Sequence, residues 1–268
     1  MRANWWDHFV LDGVGFATCD EVYERVADLR EELDGLVADV ARIHGVPVGR
    51  SFVHTFEDVR EADPNLGALV AKAAKERPAF AALCGSDALT ELARTALESN
   101  AIGVLNDWAE VVIDPPDNAH SEASWRQAFS TQGKSLRAAV LWIPLVEITP
   151  ELGPLEVCLQ SHADGVAPQW HGVGPSGDST VHIANTAERV GRYARVAPLS
   201  RPGDVLFVDA LTLHRNGINR GAHARWAVRV GVYDRREPWG ALHGWPAEVG
   251  PLCEFDATAG ALKTQDVA

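Results

Sequence analysis

The spacing of apolar residues changes once, near residue 101, and that change limits the folds open to the chain. Before it the period is helical. In EVYERVADLREELDGLVADVARIHG, with Asp20 as a cap, Val22, Val26, Leu29, Leu33 and Leu36 recur at helical intervals and Gly45 supplies a stop. Residues 65–84 repeat the pattern, with Pro78 as a break or kink, and Asp87 can cap a third helix. After the change come AIGVLNDWAEVVI, LRAAVLWIPLVEI, GPLEVCLQS, DVLFVDALTLH and RWAVRVGVYD. These are short and rich in Val, Leu, Ile and Trp, and Pro115-Pro116, Gly133, Pro150, Gly153 and Pro202-Gly203 separate them as strands. Helices followed by strands, without alternation, argue against a Rossmann or (β/α) barrel fold and for a sandwich or barrel of strands. The polar, Gly-rich stretch that begins at Asp164 reads as an insert or lid between strands. One domain over 1–268 is expected: a largely helical support layer over 1–100, a barrel core over 101–235 and a C-terminal segment over 236–268.

Charge narrows the partners. Twenty-four Lys and Arg against 37 Asp and Glu leave a formal charge of −13. A chain this acidic is a poor binder of nucleic acid or an anionic membrane surface. No apolar run reaches the ~18 residues of a membrane span, and the N-terminus lacks the pattern of a signal peptide, so a cytoplasmic location is expected. Cys19, Cys84, Cys158 and Cys253 are too widely separated for a C-x-x-C site and read as packed free thiols.

Three stretches carry a family resemblance: LDGVGFATCDEVYERVADLREEL near the start, SWRQAFSTQGKSLRAAVLWIPLVEITPELGPLEVCLQSH over 124–162, and PGDVLFVDALTLHRNGINRGAHARWAVRVGVYD over 202–234. Together they resemble the phytanoyl-CoA dioxygenase family, a branch of the Fe(II)/2-oxoglutarate oxygenases. The resemblance implies a mainly β fold with flanking helices: a double-stranded β-helix, or jelly-roll (cupin-like) barrel, with an N-terminal helical layer. It also implies a facial triad, in which an H-x-D or H-x-E pair and a later His hold iron. An arginine further on takes the cosubstrate's distal carboxylate.

The second half of that pattern is present. His214 stands where the distal His belongs, and Arg225, eleven residues later, stands where the cosubstrate arginine belongs. The first half is replaced by Trp125-Arg126-Gln127-Ala128. Arginine is permanently protonated and alanine offers no donor atom. No metal site is therefore favoured, and no cofactor is expected. His120 and Glu122 form an H-x-E just upstream, in a segment that reads as loop. They are the substitute pair through which, with His214, Fe(II) and 2-oxoglutarate would still be used.

The site expected from the resemblance has His214 and Arg126 as catalytic groups, with Arg225, Asn216, Gln127 and Trp142 binding a ligand. Arg225 either meets a ligand anion or pairs with an internal acid, Asp209 or Glu156. His162 is expected to be structural, His171, His182 and His223 solvated, and Trp239 and Trp245 to cover the barrel mouth. Three functions follow. One is a metal-free enzyme of isomerase, cyclase or lyase type, acting on a small, anionic intermediate of natural-product or sugar tailoring. Another is an inactive relative that binds a small anion or supports a partner enzyme. The third is an oxygenase using His120, Glu122 and His214.

Overall fold

The computed structural model describes residues 5–116, 124–132, 135–173, 179–237, 253–256 and 261–264. The chain opens with α1 (Trp5–Asp12) and β1 (Val14–Thr18), then runs through a helical layer of α2 (Asp20–Ile43), α3 (Phe52–Ala62), α4 (Pro64–Ala74), α5 (Pro78–Cys84) and α6 (Asp87–Leu97). The buried stripe of α2 includes Val22, Val26, Leu29, Leu33 and Val37, the helical period read from the sequence. Asp20 is its first helical residue, and Cys19 holds the cap position without a side-chain bond. Pro78 does not kink a longer helix: α4 ends at Ala74, and Pro78 starts α5, where a missing N–H costs nothing. Ser86, not Asp87, caps α6, its hydroxyl accepting from the Leu89 amide at 3.3 Å. The helix α3 was not apparent from the sequence. It exists because Phe52 and Phe56 pack edge-on against Trp226, ring centroids 4.9 Å apart in both pairs.

The strands form two principal sheets. β2 (Ile102–Asp114), β3 (Ala138–Pro144), β8 (Asp204–Asp209) and β10 (Arg225–Asp234) join β1 in an antiparallel sheet of order β1-β8-β3-β10-β2. The smaller sheet has the order β7-β4-β9, from β4 (Glu156–Cys158), β7 (Arg195–Val196) and β9 (His214–Arg215). A 3₁₀ turn (Ser161–Asp164) leads into the Gly-rich insert, which supplies a hairpin of β5 (Gln169–Val173) and β6 (Ser179–Ile183) and runs into α8 (Thr186–Val190). A single turn, α7 (Phe129–Gln132), follows Ala128. β11 (Cys253–Asp256) and β12 (Ala261–Thr264) pair with each other.

Strand alternation explains what each face of the large sheet does. Trp226, Val228, Val230 and Val232 of β10, with Leu141 and Ile143 of β3 and Val205 and Phe207 of β8, bury against the helices. Trp142, Leu206, Val208 and Ala227 face the other way, and meet Val157 of the smaller sheet and Leu155 just before β4. That second core lies between the sheets and is the interior of the double-stranded β-helix. No described helix is long and apolar enough to cross a membrane.

Candidate functional site

Register places the site residues. Val157 of β4 lies in the core between the sheets and is paired directly with His214 of β9. His214 in turn forms an isolated antiparallel bridge with Arg126. Residues opposite one another in a ladder share a face, so Val157, His214 and Arg126 make one row directed at the large sheet. The next row confirms the alternation from outside. Trp125, Cys158 and Leu213 form a separate apolar cluster there. Arg215 bonds Glu156 at 2.9 Å and lies over the Trp125 ring at 5.0 Å.

The Arg126–His214 bridge is of the doubly hydrogen-bonded kind, with N–H to carbonyl distances of 3.0 Å in both directions. The Arg126 guanidinium donates to Asn216 Oδ1 at 3.3 Å. Asn216 is two residues beyond His214, and the pair brackets Arg126 from one strand direction. Ala128 is fully buried with Phe129, Ala138, Val140 and Ala210 in a turn rather than a strand. It lies on the same inward side as Arg126, since Val140, two residues from Trp142 on β3, shares its face.

His214 is 5% exposed, and its Nδ1 lies 2.8 Å from the Thr212 carbonyl. A carbonyl only accepts, so Nδ1 carries the proton and Nε2 the lone pair. Burial, then the neighbouring Arg126 and Arg229 charges, drive its pKa down to about 3 against the pull of the Thr212 carbonyl. The imidazole is therefore neutral at physiological pH. Arg126 is lowered to about 10 by burial and by the Arg229 and Arg225 charges, and stays a cation.

Two further arginines complete the cluster, and both have an acid directly across the strand. Arg225, 1% exposed, pairs with Asp114 at 2.8 Å, donates to the Gly153 carbonyl and lies 5.6 Å over the Trp142 ring. Gly153 has a φ of +65°, and a β-carbon there would strike the Ile218 backbone, so glycine is what brings that carbonyl to Arg225. Arg229 pairs with Glu110 at 2.7 Å and covers Trp108 at 4.4 Å. Register accounts for both pairs: Arg225 is opposite Asp114, and Arg229 is opposite Glu110. Arg126 differs. Its cross-strand neighbour is His214, and no described carboxylate bonds it.

The structure brings together His214, Arg126, Asn216, Arg225 and Trp142. It separates Gln127 from them. Gln127 points outward, its amide donating to the Gly165 and Leu211 carbonyls at 2.8 and 2.5 Å and its oxygen accepting from Ala167 at 2.8 Å. It braces the insert, with both amide hydrogens committed to backbone carbonyls. The internal partner of Arg225 is Asp114, not Asp209 or Glu156. His162 is structural, bonded to the Val10 carbonyl at 3.1 Å. His182 and His223 are half-buried rather than solvated, stacked on Trp170 at 4.4 Å and packed on His54 at 4.5 Å. His120, Glu122, Trp239, Trp245 and the side chains of His171 and Cys253 lie outside the described residues. Burial raises the thiols of Cys84 and Cys158 to about 12 and about 11, which leaves neither a nucleophile. Sequence reading missed Arg229, Glu110 and Asp114. The i, i+2 spacing from Arg225 through Ala227 to Arg229 was the available signal.

The described residues do not fit an iron triad. Beside the neutral His214 imidazole stand the Arg126 guanidinium, bonded to an amide oxygen, and the Ala128 methyl, and no described cluster of three His, Cys, Asp or Glu could hold a metal. What they do offer is a cation without an acid beside a bare imidazole nitrogen.

Residues 15–227 match the family described as phytanoyl-CoA dioxygenase (PhyH). Among solved structures the chain is similar to EvdO2 from Micromonospora carbonacea var. aurantiaca, at 19% identity and a TM-score of 0.58, covering 87% of this chain and 91% of that one. It is similar to EctD from S. alaskensis with 2-oxoglutarate and 5-hydroxyectoine, at 19% identity and a TM-score of 0.56, covering 97% and 87%. It is also similar to the epimerase SnoN in complex with Fe3+, alpha ketoglutarate and nogalamycin RO, at 20% identity and a TM-score of 0.54, covering 98% and 95%. No curated protein matches the sequence. At these identities the structural likenesses establish the fold, not the reaction.

Proposed function

This chain belongs to the phytanoyl-CoA dioxygenase family, and from that premise we propose that its barrel site works without iron and carries out proton-transfer chemistry on a small anionic substrate. The observation that supports the reading is the Arg126–His214 bridge, which sets a guanidinium with no described carboxylate partner directly beside the imidazole. Arg126 anchors the substrate's anionic group in a charge-assisted pair, with Asn216 holding the guanidinium in place. His214 Nε2 accepts a proton from the neighbouring atom of the substrate. Charge that develops there is stabilised by Arg126 in a site of low dielectric. The bound anion also offsets the Arg126 charge, one of the causes that hold the His214 pKa down, so the base strengthens as substrate arrives. Isomerisation, cyclisation and elimination fit these roles. An intermediate of natural-product tailoring suits the fold relatives, of which SnoN is an epimerase from nogalamycin biosynthesis.

A second reading has one observation in its favour. An imidazole with a pKa of about 3 is a weak base, which suits a relative that binds the anion without turning it over, alone or beside a partner enzyme. The two separate in a turnover assay on anionic hydroxylated intermediates with chelator present. Activity that persists in chelator and is lost in Arg126→Gln supports metal-free catalysis. Anion binding without turnover supports the second reading. Activity that chelator abolishes and Fe(II) restores overturns both and returns the function to His120, Glu122 and His214.

A further inference from the structure

We infer that the site selects a hydroxy-carboxylate, a ligand with an anionic oxygen for Arg126 and a hydroxyl donor for His214 Nε2. This rests on the anion-binding role just proposed and names the substrate class for that same site. The inference follows from what each atom lacks. Three arginines gather at the barrel interior, and strand register neutralises two: Arg225 by Asp114 and Arg229 by Glu110. Arg126 keeps its charge, and its one described side-chain partner is the neutral Asn216 amide. Arg126 is half-buried, and a guanidinium partly withdrawn from water with no carboxylate beside it is stabilised by an anion through charge-assisted hydrogen bonds, so the ligand supplies one negative charge.

His214 adds the second requirement. Its Nδ1–H is committed to the Thr212 carbonyl, so Nε2 is an acceptor with no described partner on a side chain 5% exposed. A lone pair repels an anionic oxygen and calls for an O–H or N–H. The two needs lie side by side, because Arg126 and His214 are direct cross-strand neighbours with β-carbons ~5 Å apart. An anionic group and a hydroxyl one or two carbons apart meet both at once. A simple carboxylate satisfies the cation and leaves Nε2 bare. A neutral alcohol does the reverse. Trp108 and Trp142, under Arg229 and Arg225, give the rest of the ligand apolar walls.

The experiment is an equilibrium titration of the full chain with three probes of nearly one shape: lactate, propionate and lactamide. Lactate is expected to bind ~3–10-fold more tightly than propionate, the worth of one hydrogen bond, and at least ~10-fold more tightly than lactamide, the worth of the charge-assisted pair. Arg126→Gln should erase the difference between lactate and lactamide while Arg126→Lys keeps most of it. His214→Phe should erase the difference between lactate and propionate. Equal affinity for lactate and propionate, equal affinity for lactate and lactamide, lactate binding untouched by Arg126→Gln, or no lactate binding at all overturns the inference. These ratios are read without turnover and at a separately measured iron content, so their failure is distinct from failure of metal-free catalysis.

Discussion

Arg126 and His214 donate their backbone N–H groups to each other's carbonyls, both at 3.0 Å, and so hold a guanidinium and an imidazole side by side on the inner face of the smaller sheet. The backbone, rather than side-chain contact, fixes this pairing. Substitutions at either position should therefore change the chemistry of the site without moving it.

The buried pair of Arg225 and Asp114 supports the architecture. Asp114→Ala leaves an unpaired guanidinium inside the barrel and should cost ~3–5 kcal/mol, measured as the shift in urea unfolding. Replacing both with apolar residues of similar volume should restore most of that. A double variant whose loss equals the sum of the two single losses would show that the pair is not coupled.

The depressed pKa of His214 gives stability a pH dependence of known sign. The unfolded side chain takes up a proton near 6.5, whereas the folded one resists until about 3. Folding stability therefore falls as pH drops through that window, by ~1.4 kcal/mol per pH unit. The difference between the parent and His214→Gln, followed by urea unfolding from pH 7 to 4.5, should shift against the parent as pH falls. A constant difference would contradict the assignment.

Asp209 shows the opposite sign. Burial raises its carboxyl to about 6, against the Leu211 amide and His162, which pull it down. Between its ordinary 3.8 and about 6 the folded state holds a proton that the unfolded state has released, so stability falls as pH rises. Asp209→Asn keeps an acceptor for the Leu211 amide, 2.8 Å away. It should stabilise the chain by on the order of 1–2 kcal/mol at pH 8, and the gain should vanish below pH 4.

The fold was legible because its signals are periodic. The Val22-to-Leu33 stripe and the strand segments from 101 to 234 fell where their patterns placed them. What escaped was set by tertiary contacts: α3 by the rings around Trp226, and the choice of Ser86 over Asp87 by cap geometry. At the site, the family pattern located Arg126, His214, Asn216 and Arg225 in chain order. It could not say which acid each arginine meets, since that depends on which residues of β2 fall opposite Arg225 and Arg229. Gln127 was misplaced for a local reason. In a strand its side chain points opposite to that of Arg126, and alternation alone sends it outward.

Rebuilding the triad tests the register. Arg126→His with Ala128→Asp supplies an imidazole and a carboxylate beside His214, and the double variant should take up Fe(II). Either change alone should not. The first leaves two ligands, and the second leaves a cation ready to pair with the new carboxylate. A double variant that keeps its circular dichroism but binds no more iron than the parent would show that Ala128, which lies in a turn, is turned away from the metal position.

The most direct measurement is an anaerobic Fe(II) titration of the parent chain with 2-oxoglutarate present, followed by metal analysis after gel filtration. With Arg126 holding its charge beside His214, retained iron should stay far below one atom per chain. One iron per chain, lost in His214→Ala, would contradict an anion site there and restore an oxygenase built from His214 and ligands outside the described residues.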